Sequence, residues 1–132
     1  MKNFLTHLVP ITILAFLFIT FLQSALDKVF DFKGNTTWLK QHFENTILAK
    51  QVPLLLGIIL VLEFIAAVGC ILGVTFLIFS GETYVATFAM FISCITLLAL
   101  LFGQRVAKDY PGALTITCYF LVAIFGLYVV NG

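Results

Sequence analysis

Glu63 stands well inside an apolar run, Leu54–Phe79, that reads as a membrane-spanning helix. An ionised carboxylate at bilayer depth costs at least a few kcal/mol, so it persists only when paired, protonated or turned toward a polar interior. At helical spacing Glu63 shares a face with Ala66, Ala67, Cys70 and Gly73, while Leu62, Ile65, Val68 and Leu72 fall on the opposite side. Small residues let neighbouring helices approach closely. The pattern therefore turns Glu63 into a helix bundle and the large side chains toward lipid.

A second polar group marks the end of the preceding apolar run. Thr20, Ser24, Asp27 and Asp31 follow a four-three-four spacing, which is one helix face, and Gln23 and Lys28 flank it. Lys28 and Asp31 are i,i+3 neighbours and can pair. Lys28 can also extend toward Glu63. With 1.5 Å of rise per residue, Glu63 lies about 15 Å in from Pro53, and Lys28 about 6 Å inside the same end if its helix reaches Phe32. The remaining gap is near the reach of the two side chains, leaving a direct bridge and one mediated by water or Gln23 as alternatives. Glu63, Lys28, Asp27, Asp31, Gln23 and Ser24 thus form the candidate polar site. Three chemistries suit it: a structural ion pair between two helices, a pocket for a quinone headgroup, small polar substrate or proton, and a contact with a partner chain.

Other reactive residue types lack the spacing that chemistry needs. His7 and His42 lie near helix ends without metal-ligand spacing, and no two histidines face each other at mid-membrane to hold a haem. There is no HExxH, P-loop or GxSxG motif. Cys70, Cys94 and Cys118 lie in different apolar runs with no CxxC, and read as small buried hydrophobes. Ser93, Thr87, Thr96, Thr115 and Thr117 can bond backward to their own helices. No metal site and no covalently bound cofactor is expected.

The elements that position these groups follow from composition. Of 132 residues, 62% are hydrophobic and 10% charged, against about 25% charged in a soluble domain. Mean hydropathy is +1.16. Four apolar runs, Leu8–Leu26, Leu54–Phe79, Tyr84–Phe102 and Ala113–Val130, have the roughly 17–25 residues that span a bilayer core. With short connections this predicts an all-α, four-helix transmembrane bundle, a single domain over 1–132 with spans near 8–30, 53–79, 84–102 and 113–130. The first run has no small-x-small cleavage site before the charged segment after it, so it reads as a retained span rather than a signal peptide. There is no lipidation motif near either terminus. The net charge of +1 and the absence of a basic run give no basis for nucleic-acid binding.

The first connection has room for structure. The first helix is expected to run through Phe30 or Phe32 and stop at Gly34. Asn35 or Thr36 then caps a short amphipathic interfacial helix carrying Trp38, Leu39 and Phe43, at the membrane surface or over the bundle mouth. Pro53 suits the first turn of the second span. Ser80–Thr83 is a tight turn, and Gly103–Gly112 is read as the third loop. Trp38, Tyr84, Tyr110 and Tyr128 fall near helix ends, as an interfacial aromatic belt requires. Lys28, Lys33, Lys40, Lys50, Arg105 and Lys108 all fall on the side of loops one and three, against Lys2 on the other. The positive-inside rule puts those loops in the cytoplasm and both termini outside.

The segment Ser24-Ala25-Leu26-Asp27-Lys28-Val29-Phe30-Asp31-Phe32, followed by Pro53 opening a span that contains Glu63 and then by two further spans, resembles the DoxX-like family of small membrane proteins. The likeness runs along nearly the whole chain, with its distinctive residues in the first half. Members often carry a glycine just before the lysine segment, where this chain has Ser24 and Ala25. The resemblance carries over Lys28 and Glu63. It implies a bacterial cytoplasmic membrane protein. The family is named for small subunits of a thiosulfate:quinone oxidoreductase, with relatives in redox-stress systems and distant ones acting as membrane-protein chaperones. The four-helix quinone-linked thiol oxidases, a neighbouring fold, require a CxxC that is absent here.

The expected function is that of an accessory subunit or assembly factor of a quinone-linked membrane redox system, with the lipid bilayer and other membrane subunits, or further copies of itself, as partners. Two alternatives stand beside it. The chain itself is a quinone-binding oxidoreductase relaying protons through Glu63 beside Lys28, or it is a transporter of a small solute or protons.

Overall fold

The structure is a computed structural model and describes residues 2–30, 32–44, 52–106 and 108–131. Among the described residues the helical segments are, in order, α1 (Lys2–Thr6), α2 (Leu8–Phe30), α3 (Phe32–His42), α4 (Val52–Phe79), α5 (Tyr84–Val106) and α6 (Tyr110–Asn131). No strand occurs among the described residues. The helices α2, α4, α5 and α6 are each long and apolar enough to cross a membrane. Short connections force α4, α5 and α6 to run successively antiparallel, and the contacts of Leu14 with Gly73 and of Lys28 with Glu63 set α2 antiparallel to α4. α2 packs on α4, α4 on α5 and α5 on α6, and a lighter contact of α6 with α2 closes the ring.

The core lies along the seams. Leu14, Leu17 and Phe21 of α2 meet Ala66, Ala67, Cys70 and Leu77 of α4, Ala86, Ala89, Met90 and Leu97 of α5, and Ala123 of α6. Ile65, Val68, Leu72 and Phe76 on α4, Phe88 and Phe91 on α5, and Leu121 and Phe125 on α6 point outward and are exposed. A soluble protein rarely shows apolar surface on this scale; in a bilayer it is the face that acyl chains cover. The small-residue face of α4 allows the closest approach. A β-carbon at Gly73 would lie 3.0 Å from Ala86 Cα and 3.3 Å from Leu14 Cδ1, and one at Gly69 would lie 3.2 Å from Ala89 Cβ.

Polar groups within the bundle are largely resolved inside single helices. The hydroxyls of Thr12, Thr20, Thr75, Ser93, Thr96, Thr115 and Thr117 each donate to the carbonyl four residues earlier, at 2.7–3.2 Å. Such back-bonding removes the penalty of a free hydroxyl in an apolar medium.

The helix ends depart from expectation in three places. The described part of α2 ends at Phe30, Asp31 lies outside the described residues, and Gly34, Asn35 and Thr36 lie inside α3, so Gly34 is no stop and Asn35 or Thr36 no cap. Thr37 continues its ladder by donating to Lys33 O at 3.0 Å. Gly34 lowers helix propensity but offers no alternative partner for the backbone, so the helix persists. The third loop is shorter than Gly103–Gly112, because α5 continues to Val106 and α6 starts at Tyr110. Asp109 caps α6, its Oδ1 accepting from Gly112 N at 3.1 Å and its carbonyl from Ala113 N at 2.9 Å. Lys108 takes a left-handed φ of 60°, and Arg105 lies 4.9 Å from the Tyr110 ring centroid across the turn. Finally, His7 separates the five-residue α1 from α2, whose first turn contains Pro10. The α4–α5 turn is as tight as expected, with Gly81 at φ 73° and its N–H on Phe76 O at 2.9 Å.

α3 leaves the end of α2 and contacts both α2 and α4. Phe43, just beyond it, reaches the end of α5, where a β-carbon on Gly103 would lie 3.7 Å from its ring. Trp38, Lys33 and Lys40 are exposed. The segment thus crosses one end of the bundle.

Replacing Gly73 by alanine forces α4 away from Ala86 of α5 and is expected to destabilise the bundle by about 1–3 kcal/mol. Gly57→Ala, where a β-carbon meets nothing within 4 Å, is expected to be neutral or stabilising by up to about 1 kcal/mol. Thermal unfolding of both variants in one detergent checks the pair; equal midpoints would contradict the close α4–α5 approach.

Candidate functional site

The site is built where α2 and α4 pass each other. Leu14 lies against Gly73, which sets the antiparallel register. Ten residues on from Leu14 is Ser24, and ten back from Gly73 is Glu63, so these two are about level. Lys28 is one turn further along α2. A helical side chain leans toward its own N-terminus, which brings Lys28 Nζ back to Ser24, 2.6 Å from Oγ and 3.5 Å from the carbonyl oxygen. There it stands 2.9 Å from Glu63 Oε1.

The pair is direct, and neither water nor Gln23 mediates it. Gln23 is exposed on the outer side of α2. The gap inferred from helix ends closes because the Leu14–Gly73 register sets Ser24 level with Glu63 and Lys28 reaches back along α2 to that level. Phe30, the last described residue of α2, lies about 9 Å beyond it, six residues at 1.5 Å each.

Glu63 has no exposed surface, and the Lys28 side chain keeps 18% of its own. The flanking small residues Ala66, Ala67, Cys70 and Gly73 are buried with Glu63 as expected, and of the opposite side Ile65, Val68 and Leu72 are exposed while Leu62, next to Glu63, is half-buried. Nζ is at charge-assisted hydrogen-bond distance from Oε1, and among the described residues no other donor meets either Glu63 oxygen. The contact is therefore Coulombic attraction in an apolar setting, where a close charge pair is strong but desolvation opposes it. A carboxylate has about four lone-pair positions, and among the described residues Lys28 is the donor that faces them.

The other candidates separate. Ser24 is half-buried and joins the pair through Lys28. Asp27 is exposed, with an interaction of its own. Asp31 lies outside the described residues, as does Lys50 of the basic side. Thr20 bonds to Phe16 O at 2.9 Å. The stripe of Thr20, Ser24, Asp27 and Asp31 is thus not one functional face: Ser24 turns inward with Lys28, and Asp27 turns outward. Sequence reasoning placed Ser24 in the site without its role as the anchor of Lys28. The i,i+4 spacing of the two was the available signal.

On α5, Gly69 meets Ala89, so Thr96 lies about level with Glu63. Thr96 and Ser93 are fully buried, and their hydroxyl protons are committed to Ile92 O and Ala89 O, each at 2.7 Å. Cys70 and Cys94 are buried free thiols, whereas Cys118 is exposed on the outer side of α6 and so departs from the buried role expected of it. Among the described residues no three His, Cys, Asp or Glu side chains cluster as a metal site.

No protein-family model, curated protein or solved structure matches this chain.

Removing Lys28 leaves Glu63 buried beside no cation. Lys28→Met is expected to destabilise the protein by about 3 kcal/mol, and the double variant Lys28→Met, Glu63→Leu to recover most of the loss, because an apolar pair replaces an ionic one at little cost. Denaturation of the two variants and the wild type in one detergent tests this. A stable Lys28→Met protein would show that the pair does not hold α2 to α4.

Proposed function

We propose that this chain is a DoxX-like integral membrane protein of the bacterial cytoplasmic membrane. In this reading it acts as an accessory subunit or assembly factor of a quinone-linked redox system. The observation that carries the reading is the placement of Lys28 and Glu63. The two residues that the family resemblance carries over meet at 2.9 Å across the α2–α4 seam. There they act first as a structural lock, Lys28 being anchored on Ser24 as well. An auxiliary role asks no more of the chain than a well-fixed bundle and an apolar outer surface against which a partner helix or lipid can pack. Phe88, Phe91, Leu121, Phe125 and their neighbours supply that surface. Short α3 then lies as an amphipathic element at the bilayer interface, with Trp38 exposed for the headgroup region.

Purification of the tagged chain from its native membrane in a mild detergent is expected to bring down, in fixed stoichiometry, a partner with haem, flavin or another redox centre. Turnover by the isolated chain, or a chain that always purifies alone, would sink the accessory reading.

Lys33, Lys40, Arg105 and Lys108 are exposed near the ends of α2, α3 and α5 and the start of α6, and the positive-inside rule assigns that end to the cytoplasm. In a background with Cys70, Cys94 and Cys118 replaced by serine, Glu82→Cys should react with a membrane-impermeant maleimide in intact cells, and Lys40→Cys only after permeabilisation. The reverse pattern would invert the topology.

A further inference from the structure

Gln23 carries a primary amide on the outer face of α2, exposed at a depth where the neighbouring helices turn apolar groups outward. The Leu14–Gly73 and Gly69–Ala89 contacts set it about level with Phe64 of α4 and Cys94 of α5. Around that level the outward side chains are Val61 and Ile65 on α4 and Ile95 and Leu98 on α5. The apolar belt continues toward the near end of the bundle through the exposed Ile58 and Phe102. These stand six and eight residues further on, about 9–12 Å at 1.5 Å each. Gln23 therefore lies inside the hydrocarbon. Its Cα–Cβ bond tilts toward the N-terminus of α2, away from that end and its headgroups. An amide can donate two hydrogen bonds and accept two, and among the described residues nothing bonds this one. In an apolar medium such a group is costly.

The residues in line with it form a contact face. Thr12, Phe16, Ile19 and Gln23 are all exposed and follow a four-three-four spacing. At 100° per residue they fall within about 60° of one another around α2. The Thr12 hydroxyl is returned to Leu8 O at 2.8 Å, and Phe16 is steadied by an edge contact with Tyr119 of α6, ring centroids 6.0 Å apart. This is the spacing of a left-handed helix–helix seam, in which one polar position among apolar ones fixes the register. Asp27 lies about 40° round from Gln23 and is engaged within its own chain.

We infer that this seam is the contact between two copies of the chain, α2 against α2, with the two Gln23 amides bonded to each other. The chemistry of the amide selects the occupant. Copies of one chain share one orientation in the membrane, so a two-fold axis along the membrane normal sets the two α2 helices parallel. Each residue of the seam then faces its own counterpart. A charged group at that position would meet its like. A primary amide is its own complement: each carbonyl accepts from the other's NH2, giving two reciprocal bonds across the seam. Both lie in hydrocarbon, where no water competes for them. The inference goes beyond the accessory reading and shares only its premise that the bundle lies in a bilayer.

The test uses the purified full chain, labelled at its N-terminus with donor or acceptor dye and reconstituted in lipid vesicles. Energy transfer over a series of protein-to-lipid ratios gives the dimer dissociation constant. The wild type is expected to dimerise reversibly. Gln23→Leu should raise the constant about tenfold. That side chain is exposed, so the fold of the single copy is undisturbed. Gln23→Asn keeps the amide and should stay within about threefold of the wild type. In the background with Cys70, Cys94 and Cys118 replaced by serine, Ile19→Cys should form an interchain disulfide on mild oxidation, and Leu98→Cys on α5 should not. A wild type that stays monomeric throughout, an unchanged constant in Gln23→Leu, or crosslinking through Leu98→Cys in place of Ile19→Cys would overturn the inference. So would a monomeric chain whose Gln23→Leu variant loses a co-purifying partner, which would assign the seam to another protein. Dimerisation in vesicles is measured with no partner present, so its failure and that of the accessory reading are separate results.

Discussion

A charge in an apolar medium must find its opposite, and that requirement organises this protein. Glu63 has no contact with water, and Lys28 reaches it from the neighbouring helix. Their meeting fixes more than two side chains. It sets how far α2 is displaced along α4, and so which small residue of α4 faces which apolar residue of α2. The apolar contacts alone tolerate translation, since leucine against alanine is much the same one turn further on. A 2.9 Å ion pair is not tolerant in that way. This is the registry role for which buried ionic groups are best attested.

Around that fixed point the remaining polarity is contained. Buried hydroxyls return to their own helices, so α5 and α6 are held chiefly by shape. Gly69 and Gly73 let α5 approach α4. Gly126 does the same for α6, where a β-carbon would run into Met90 Sδ. These seams differ in tolerance. At Gly73 the obstructing atoms belong to the Ala86 backbone, which cannot yield. At Gly126 the flexible Met90 can repack, but the stiff Ile13, whose Cγ2 would lie 2.8 Å away, also has to give.

Much of this was legible in the sequence, for identifiable reasons. Four long apolar runs separated by brief polar segments leave few alternatives to an antiparallel bundle, and α4 shows its inner face openly through Glu63, Ala66, Ala67, Cys70 and Gly73. What was not legible is geometry that no single helix contains. Whether Lys28 reaches Glu63 depends on the stagger between α2 and α4, which the Leu14–Gly73 contact sets far from either charge. The split of the polar stripe into an inward Ser24 and an outward Asp27 depends likewise on how α2 is rotated against its neighbours. The extent of α5 and α6 was hidden by Gly103, Pro111 and Gly112, residues that suggest a loop but are tolerated in a last or first helical turn. Asp109 supplies the cap that makes the early start of α6 workable.

The ion pair also has a consequence for how the chain is made. During synthesis α2 emerges before α4, and each carries one half of the buried pair. Alone in the hydrocarbon, either charge makes its helix an unfavourable segment to release from the insertion machinery. Together they neutralise each other. The linker between them is long enough to carry α3, so the first helix can wait at the membrane surface and enter alongside the second as a hairpin. The apolar spans of α5 and α6 hold no charged residue between Tyr84 and Leu101 or between Tyr110 and Asn131, and face no such constraint. The cost of entering the bilayer is therefore unevenly spread along this chain: it falls on the first half, whose two charges offset each other only together, and not on the second.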